Sequence, residues 1–154
     1  MALFALGFGA LRLGILPPIE ASSPWTMDLL AFVTTVLPVT LYFTLQEGGS
    51  SQATWGKRKA GIRVIALDGQ PVGYRRSLVR SAAKLAPWQL AHTCLFHIPG
   101  WPVVTAAPSA LVVLGLAVAQ GLVVVYLVAL FFTRSHRTPY DRVAGTVVTV
   151  QHAK

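Results

Sequence analysis

Apolar runs of membrane-spanning length alternate with shorter polar segments along this chain. A helix needs about 20 consecutive, mostly apolar residues to cross a bilayer. The segment at 109–132 meets this requirement without a single charge, and the segment at 27–45 meets it with Pro38 as a point for a kink. The pattern predicts four spans, at residues 1–16, 27–45, 82–99 and 109–132.

The first and third of these segments are less regular than the other two. Segment 1–16 is short, contains Arg12 and stops at Pro17 and Pro18. It lacks the basic stretch that precedes the apolar run of a signal peptide, so we interpret it as a helix whose start is missing or that begins abruptly at Met1. Polar residues interrupt segment 82–99, where Lys84 can extend its amine toward the membrane surface.

Two short strands are predicted outside the spans. Ile62–Ala66 alternates in the manner of a strand and is followed by Asp68 and Gly69, which favour a turn. Thr146–Val150, with the sequence TVVTV, is the second candidate, and pairing the two would satisfy their backbone groups. An amphipathic helix at the membrane interface is predicted from Tyr74 into the third span.

The predicted fold is therefore one all-α membrane domain over residues 1–154, with about four transmembrane helices and a small cytoplasmic β-hairpin or strand element. Its polar parts are a cytoplasmic loop at 46–81 and a cytoplasmic tail at 133–154.

Composition and charge agree with this assignment. The chain is 54% hydrophobic and only 12% charged, whereas soluble domains carry about 25% charged residues. Of its 13 Lys and Arg residues, eight lie between Lys57 and Lys84 and four follow from Arg134 onward. Because cytoplasmic flanks of membrane helices retain Lys and Arg, we expect a multi-pass protein of the bacterial inner membrane with both termini in the cytoplasm.

The basic loop predicts contact with anionic lipids of the cytoplasmic leaflet rather than with nucleic acid, since the charge borders the spans and no nucleic-acid-binding motif accompanies it. The residues expected at the lipid headgroups are Lys57, Arg58, Lys59, Arg75, Arg76 and Arg80.

The sequence contains no motif for nucleotide binding, metal binding or catalysis. Gly56 and Lys57 do not form a phosphate loop, because Ser51 stands where that motif requires Gly and Arg58 where it requires Ser or Thr. His92 and His97 are five residues apart and would point about 140° apart on a helix, so they favour core or interface positions over a metal pair, with a proton relay as the alternative. We expect no metal, no cofactor and no enzymatic activity.

Small residues recur along the last span. Gly115, Ala119 and Gly121, with Ala117, permit close helix contact, either within the bundle or with a membrane-protein partner or second copy. Gln120 lies among them and needs a hydrogen-bond partner, for which an interhelical bond is the simplest account.

Asp141 stands in the sequence RTPYDRVAGT, near Arg137 and Arg142. Two roles are open: a structural latch that ties the tail to basic groups, and an ion or substrate ligand. We favour the latch, because the neighbouring Arg residues already supply counter-charge. Asp141→Asn is then expected to cost about 1 kcal/mol if the site is half exposed.

Two segments carry a resemblance to a known family. They are ATWGKRKAGIRVIALDGQPVGYRRSLVRSAAKLAP at 53–87 and TPYDRVAGTVV at 138–148. In this order they resemble the RDD family of small bacterial membrane proteins, over roughly residues 29–150. The family is named for an Arg and an Asp in its first helix and a later Asp, which Asp141 resembles. The Arg and Asp of the family's first helix have no match in this chain, which indicates a truncated start or a divergent member.

The resemblance implies a transporter or transport-associated protein for a small ion or solute. A non-catalytic membrane scaffold or accessory subunit is the alternative. The distinction depends on acidic residues within the membrane, because a cation- or proton-coupled transporter requires one and the sequence places none near a span centre.

Overall fold

A computed structural model describes residues 23–102, 106–132 and 137–150 of the chain. Its first helix, α1, spans Pro24–Gly48. Ser23 caps this helix by accepting from the backbone N–H of Thr26. A π-helical stretch at Phe32–Val36 lies just before Pro38. Because proline lacks an N–H and clashes with the preceding turn, this wider turn accommodates Pro38 within one continuous helix.

The remaining elements follow in a simple order. They are helix α2 at Trp55–Lys59, strand β1 at Ile62–Ala66, helix α3 at Gly73–Phe96, helix α4 at Ala110–Phe132, helix α5 at Pro139–Ala144 and strand β2 at Thr146–Val150. The predicted interfacial helix and third span are thus one helix, α3. The predicted first span, 1–16, lies outside the described residues.

Strands β1 and β2 form a two-stranded antiparallel sheet, in which Ile62 pairs with Val150 and Ala66 with Thr146. The predicted pairing of these two segments is confirmed. The strands are not a hairpin, because helices α3, α4 and α5 lie between them in the chain. We call α2, β1, α5 and β2 together the cap.

Helix α3 is the centre of the molecule and packs against α1, α4 and α5. It contains Pro87, which cannot donate to the carbonyl of Ala83 one turn earlier. The hydroxyl of Tyr126, on α4, donates to that carbonyl at 2.8 Å. Since an unsatisfied carbonyl is costly in an apolar surrounding, this bond compensates for the proline and joins the two helices.

Among the described residues, two helices are long and apolar enough to cross a membrane, α1 and α4. Their windows are only 22% and 11% buried within the chain, so most of their apolar surface faces outward. Helix α3 carries Arg75, Arg76, Arg80 and Lys84 in its first half and does not pass the same test. The described residues therefore show a mostly helical protein with two candidate spans and a small sheet.

Candidate functional site: a buried ionic cluster and a second polar cluster

Four charged side chains meet where α1, α3 and the cap come together. Arg80 of α3 donates through one terminal nitrogen to Glu47 of α1 at 2.5 Å and through Nε to Asp141 of α5 at 2.8 Å. Lys57 of α2 donates to the other oxygen of Glu47 at 2.6 Å. Glu47, Arg80 and Asp141 are almost completely buried, at 0%, 3% and 2% exposure. We call Glu47, Lys57, Arg80 and Asp141 the ionic cluster.

The local sequence fixes Asp141 in a capping box. Thr138 is the N-cap of α5. Its backbone N–H, at 3.2 Å, and its hydroxyl, at 2.5 Å, both donate to the second carboxylate oxygen of Asp141. The helix stops at Gly145, whose positive φ of 64° is costly for other residues. The chain then turns so that the Thr146 hydroxyl donates to Asp141 at 3.2 Å. The DRVAGT sequence therefore holds this carboxylate and starts β2.

Lys57 reaches the cluster from the short helix α2, which Thr54 caps. Burial is the main cause that lowers the pKa of Lys57, and the positive charge of Arg80 lowers it further, while Glu47 opposes both effects. Burial alone would also lower the pKa of Arg80, but Glu47 and Asp141 together raise it. Arg80 is therefore a permanent cation in the cluster.

The ionic cluster is balanced in charge and rich in hydrogen bonds. Two carboxylates face two basic side chains, and the Tyr140 ring lies 5.1 Å from the guanidinium of Arg80. A buried ion pair is tolerated when its remaining polar atoms are satisfied, and removing one partner leaves an uncompensated charge. The buried ion pairs of the cluster therefore join the cap to α1 and α3.

Arg137 and Arg142 do not form ion pairs with the carboxylate of Asp141. Arg137 donates to the backbone carbonyls of Thr146, at 3.0 Å, and of Asp141, at 3.5 Å, whereas Arg142 is exposed. The counter-charge of Asp141 comes instead from Arg80, 61 residues away in the chain. The expectation that nearby arginines supply the counter-charge is corrected, because capping α5 turns the Asp141 carboxylate toward α3.

The basic residues expected at lipid headgroups fall into two groups. Lys57 and Arg80 belong to the ionic cluster and face inward, so the structure corrects their placement at the headgroups. Arg58 bonds with Gln46 at 3.0 Å and with the carbonyl of Ala53 at 3.2 Å. The outward-facing members are Arg58, Lys59, which stacks on Trp55 at 4.1 Å, Arg75 and Arg76.

A second polar cluster joins α1 and α3 at their other ends. Asp28 accepts from the amide nitrogen of Gln89 at 2.8 Å and from the hydroxyl of Thr93 at 2.9 Å. One turn further along each helix, the rings of Trp25 and His97 meet edge to face at 4.7 Å. We call Asp28, Gln89 and Thr93 the Asp28 cluster. At 1.5 Å per residue, Asp28 lies about 28 Å along α1 from Glu47.

The small residues of α4 divide between two faces. Gly115 lies against Cys94 of α3, so closely that an added Cβ would overlap the sulfur, and Ala119 is buried. Gly121 has no neighbour within 4 Å at its Cβ position, and Gln120 is exposed. Gly115 and Ala119 therefore pack within the bundle, while Gln120 and Gly121 lie on an open face. Cys94 is buried.

His92 and His97 occupy packing positions in this structure. His97 hydrogen-bonds through Nδ1 to the carbonyl of Thr93 at 2.7 Å, and His92 packs between the rings of Trp88 and Phe96. Among the described residues no group of three or more His, Cys, Asp or Glu side chains could hold a metal ion.

Sequence reasoning overlooked Glu47, Arg80 and Asp28 as partners in polar clusters. Glu47 lies just beyond the predicted span 27–45, and Arg80 was predicted only as one of the basic residues at the lipid headgroups. A signal for Arg80 was present, because it stands among Ser77, Ser81 and Lys84 on one helical face. Asp28 lies at the start of the predicted span 27–45 and Gln89 interrupts the predicted span 82–99, but nothing in the sequence paired them.

The fold and its two clusters define a helical membrane protein whose polar cap is fastened by buried ion pairs. Residues 2–145 match the RDD family, and the chain belongs to that family. No curated protein and no solved structure matches the chain. Family membership and the two long apolar helices together support an integral membrane protein.

Proposed function

We propose that this protein serves the transport of a small ion or solute, as a transporter or as a transport-associated subunit. The observation that carries the proposal is the Asp28 carboxylate. Every ion pair found among the described residues involves Glu47, Asp68 or Asp141, so Asp28 forms no ion pair there and is hydrogen-bonded to the neutral Gln89 and Thr93. Asp28 is half-buried near the start of α1 and bridges to α3, and an ionisable side chain on a membrane helix is a candidate for an ion or substrate pathway.

Asp28 is a better candidate for this role than Asp141. Both oxygens of Asp141 accept hydrogen bonds, and one of them faces the guanidinium of Arg80. A ligand at Asp141 would have to displace a buried ion pair, which is costly. Asp28 has no such competitor in the described part of the chain and lies near the start of α1, within reach of one side of the membrane.

Flux measurements test the proposal. The full chain is reconstituted in liposomes, and potential- and pH-sensitive dyes report the movement of charge or protons when a salt gradient is applied. We expect flux in the unaltered protein and its loss in Asp28→Asn. Asp68→Asn is the matched control, because Asp68 lies in the exposed turn after β1 and forms only a loose pair with Arg76, at 3.6 Å. Equal flux in Asp28→Asn and the control would overturn the proposal.

A scaffold or accessory role is the second candidate, and the open face of α4 favours it. Gln120 is exposed near the middle of a 23-residue apolar helix, next to Ala117 and Gly121. An amide in hydrocarbon gains from a partner, and small residues beside it allow a second helix to approach. Photocrosslinking from position 120 in native membranes should then capture one discrete protein or a second copy, whereas position 113, also exposed on α4, should not.

For orientation and surroundings, we propose that the cap lies in the cytoplasm and that Arg75 and Arg76 contact anionic lipid. The concentration of basic residues between Lys57 and Lys84 supports both statements. Reporter fusions at Gly69 and Lys154 should both give a cytoplasmic signal. Replacing Arg75 and Arg76 with Gln should reduce the anionic lipid that remains bound to the purified protein.

A further inference from the structure

Helices α1 and α3 are both irregular near their middle. In α1, the π-helical stretch Phe32–Val36 lies just before Pro38. In α3, Pro87 interrupts the ladder of backbone hydrogen bonds, and the carbonyl of Ala83 accepts from Tyr126 of α4 instead. Sharp changes of helix direction arise at prolines and at π-helical turns. Each of the two helices therefore has a point at which it can bend.

The two points lie at the same level of the bundle, because the helices run antiparallel. Near the cap, the Ser77 hydroxyl of α3 donates to the Phe43 carbonyl of α1 at 3.4 Å. Ten residues back along α1 from Phe43 is Val33, and ten residues forward along α3 from Ser77 is Pro87. Since both helices rise about 1.5 Å per residue, Pro87 lies level with Val33, within the π-helical stretch.

The contact at the other end of the helix pair gives the same alignment. Thr93 of α3 donates to Asp28 of α1 at 2.9 Å. Six residues forward along α1 from Asp28 is Thr34, and six residues back along α3 from Thr93 is Pro87. The hydroxyl of Thr34 donates to the carbonyl of Leu30, one turn earlier, at 2.6 Å, and bonds of this kind often bend a helix. Helix α1 thus has two features that favour bending at the level of Pro87.

We propose that α1 and α3 share one hinge, formed by the π-helical stretch Phe32–Val36, Pro38 and Pro87. On the cap side of this hinge, the ionic cluster joins both helices to the cap through buried ion pairs. On the other side, the two helices meet through the hydrogen bonds of the half-buried Asp28 cluster. The hinge therefore separates a firmly joined half from a half that can move. It is a property of the bundle itself and does not require the proposed transport function.

Tyr126 stabilises the hinge in the observed arrangement. Its hydroxyl donates at 2.8 Å to the Ala83 carbonyl, which Pro87 leaves without its usual partner in α3. The bond ties α3 at the hinge to α4, whose 23 residues contain no proline. Because an unpaired carbonyl in an apolar surrounding is costly, the bond opposes bending of α3 away from α4. Its loss should let the hinge open more often.

Hydrogen–deuterium exchange of the full chain in detergent tests the hinge, with mass spectrometry following peptides from each helix. Exchange reports local opening of the backbone, which is more frequent where the local structure is less stable. We expect faster exchange at 32–40 and 84–91 than in the flanking parts of α1 and α3. The middle of α4, at 115–123, contains no proline and should exchange more slowly than either segment.

Proline variants distinguish a shared hinge from two unrelated irregularities. Pro87→Ala restores a backbone N–H to α3 and should slow exchange at 84–91. Because bending of one helix requires bending of the other, the same variant should also slow exchange at 32–40 in α1. Pro38→Ala should produce the reciprocal effect, in α1 and also in α3.

A milder variant keeps the test decisive if a proline variant does not fold. Tyr126→Phe removes a single hydroxyl and should speed exchange in both hinge segments on the order of fivefold, the scale of one lost hydrogen bond. Tyr42→Phe is the matched control, because Tyr42 is exposed on α1 outside the hinge segments. It should leave exchange in both segments unchanged.

Three results would overturn the proposal. They are uniform exchange along α1 and α3, a response to Pro87→Ala that is confined to α3, and equal exchange in Tyr126→Phe and Tyr42→Phe. Faster exchange of both segments in Tyr126→Phe, with slower exchange of both in the proline variants, would support it. Flux in liposomes is a separate measurement, so the loss of either proposal leaves the other intact.

Discussion

The two polar clusters between α1 and α3 use different chemistry for the same contact. At one end, Glu47, Arg80, Asp141 and Lys57 form a charge-balanced set that joins three parts of the chain. At the other end, Asp28 meets only the neutral Gln89 and Thr93, and the Gln89 oxygen has no partner among the described residues. A fully satisfied polar network rigidifies and specifies one arrangement. The comparison therefore indicates a structural role for the first end, whereas the second end keeps a buried amide oxygen without a partner in the described part of the chain.

The largest effect should follow from removing the shared cation of the ionic cluster. Arg80→Gln leaves two buried carboxylates without their common partner, and breaking a buried pair costs about 3–5 kcal/mol. We expect unfolding in mild detergent at a much lower temperature. Arg76→Gln, one turn earlier and exposed, is the control and should change stability by less than about 0.5 kcal/mol. Similar stability in both variants would mean that the cluster does not fasten the cap.

Asp141→Asn should have the next largest effect. The sequence alone predicted about 1 kcal/mol for a half-exposed latch. Because Asp141 is 2% exposed and paired with Arg80, the expected cost rises to about 3 kcal/mol. Asp28→Asn breaks no ion pair found in the described residues and should cost about 1 kcal/mol or less. Equal costs at the two positions would contradict the distinction between the two ends.

Packing near the Asp28 cluster can be tested through Gly115. Gly115→Ala places a methyl group against the Cys94 sulfur, and such overpacking costs about 1–3 kcal/mol. Gly121→Ala meets nothing within 4 Å and should be neutral or slightly stabilising. Adding Cys94→Ala to Gly115→Ala should recover part of the loss, as measured by chemical denaturation. No recovery would show that the contact between α3 and α4 is looser than described.

The smallest effect concerns the pH dependence of the ionic cluster. Since the pKa of Lys57 is lowered in the folded protein from its usual value of 10.5, the unfolded chain holds more protons at Lys57 in the range just below pH 10.5. The free energy of unfolding therefore gains a component that rises with pH in that range. Subtracting the pH profile of Lys57→Gln isolates this component. A falling difference would mean that Glu47 dominates and raises the pKa of Lys57 instead.

Local patterns in the sequence were sufficient for much of the fold. Strand alternation at Ile62–Ala66 and the TVVTV segment predicted a sheet whose members are far apart in the chain, and apolar length predicted α1 and α4 to within three residues at each end. These features depend on periodicity and on the thickness of a bilayer, which a single sequence displays. The four-span arrangement remains a prediction.

The candidate site was less accessible, because its contacts are non-local. Asp141 was identified as a latch residue, but its partner was sought among Arg137 and Arg142, which are close in sequence. Only the packing of α3 between α1 and the cap brings Arg80 to both Glu47 and Asp141. The pairing of Asp28 with Gln89 likewise requires the antiparallel contact of two helices, and no local spacing encodes it.

Pairing of β1 with β2 has a consequence for the order of biosynthesis. Translation proceeds from the amino end, so β1 emerges while the residues that will cover its edge, from Thr146 onward, have not been made. During that interval Glu47 and Arg80 can meet, but the second carboxylate of Arg80 is still missing. Arrival of the segment from Thr138 to Val150 then supplies the carboxylate and covers the edge of β1, so the cap can form only after both of its halves have been synthesised.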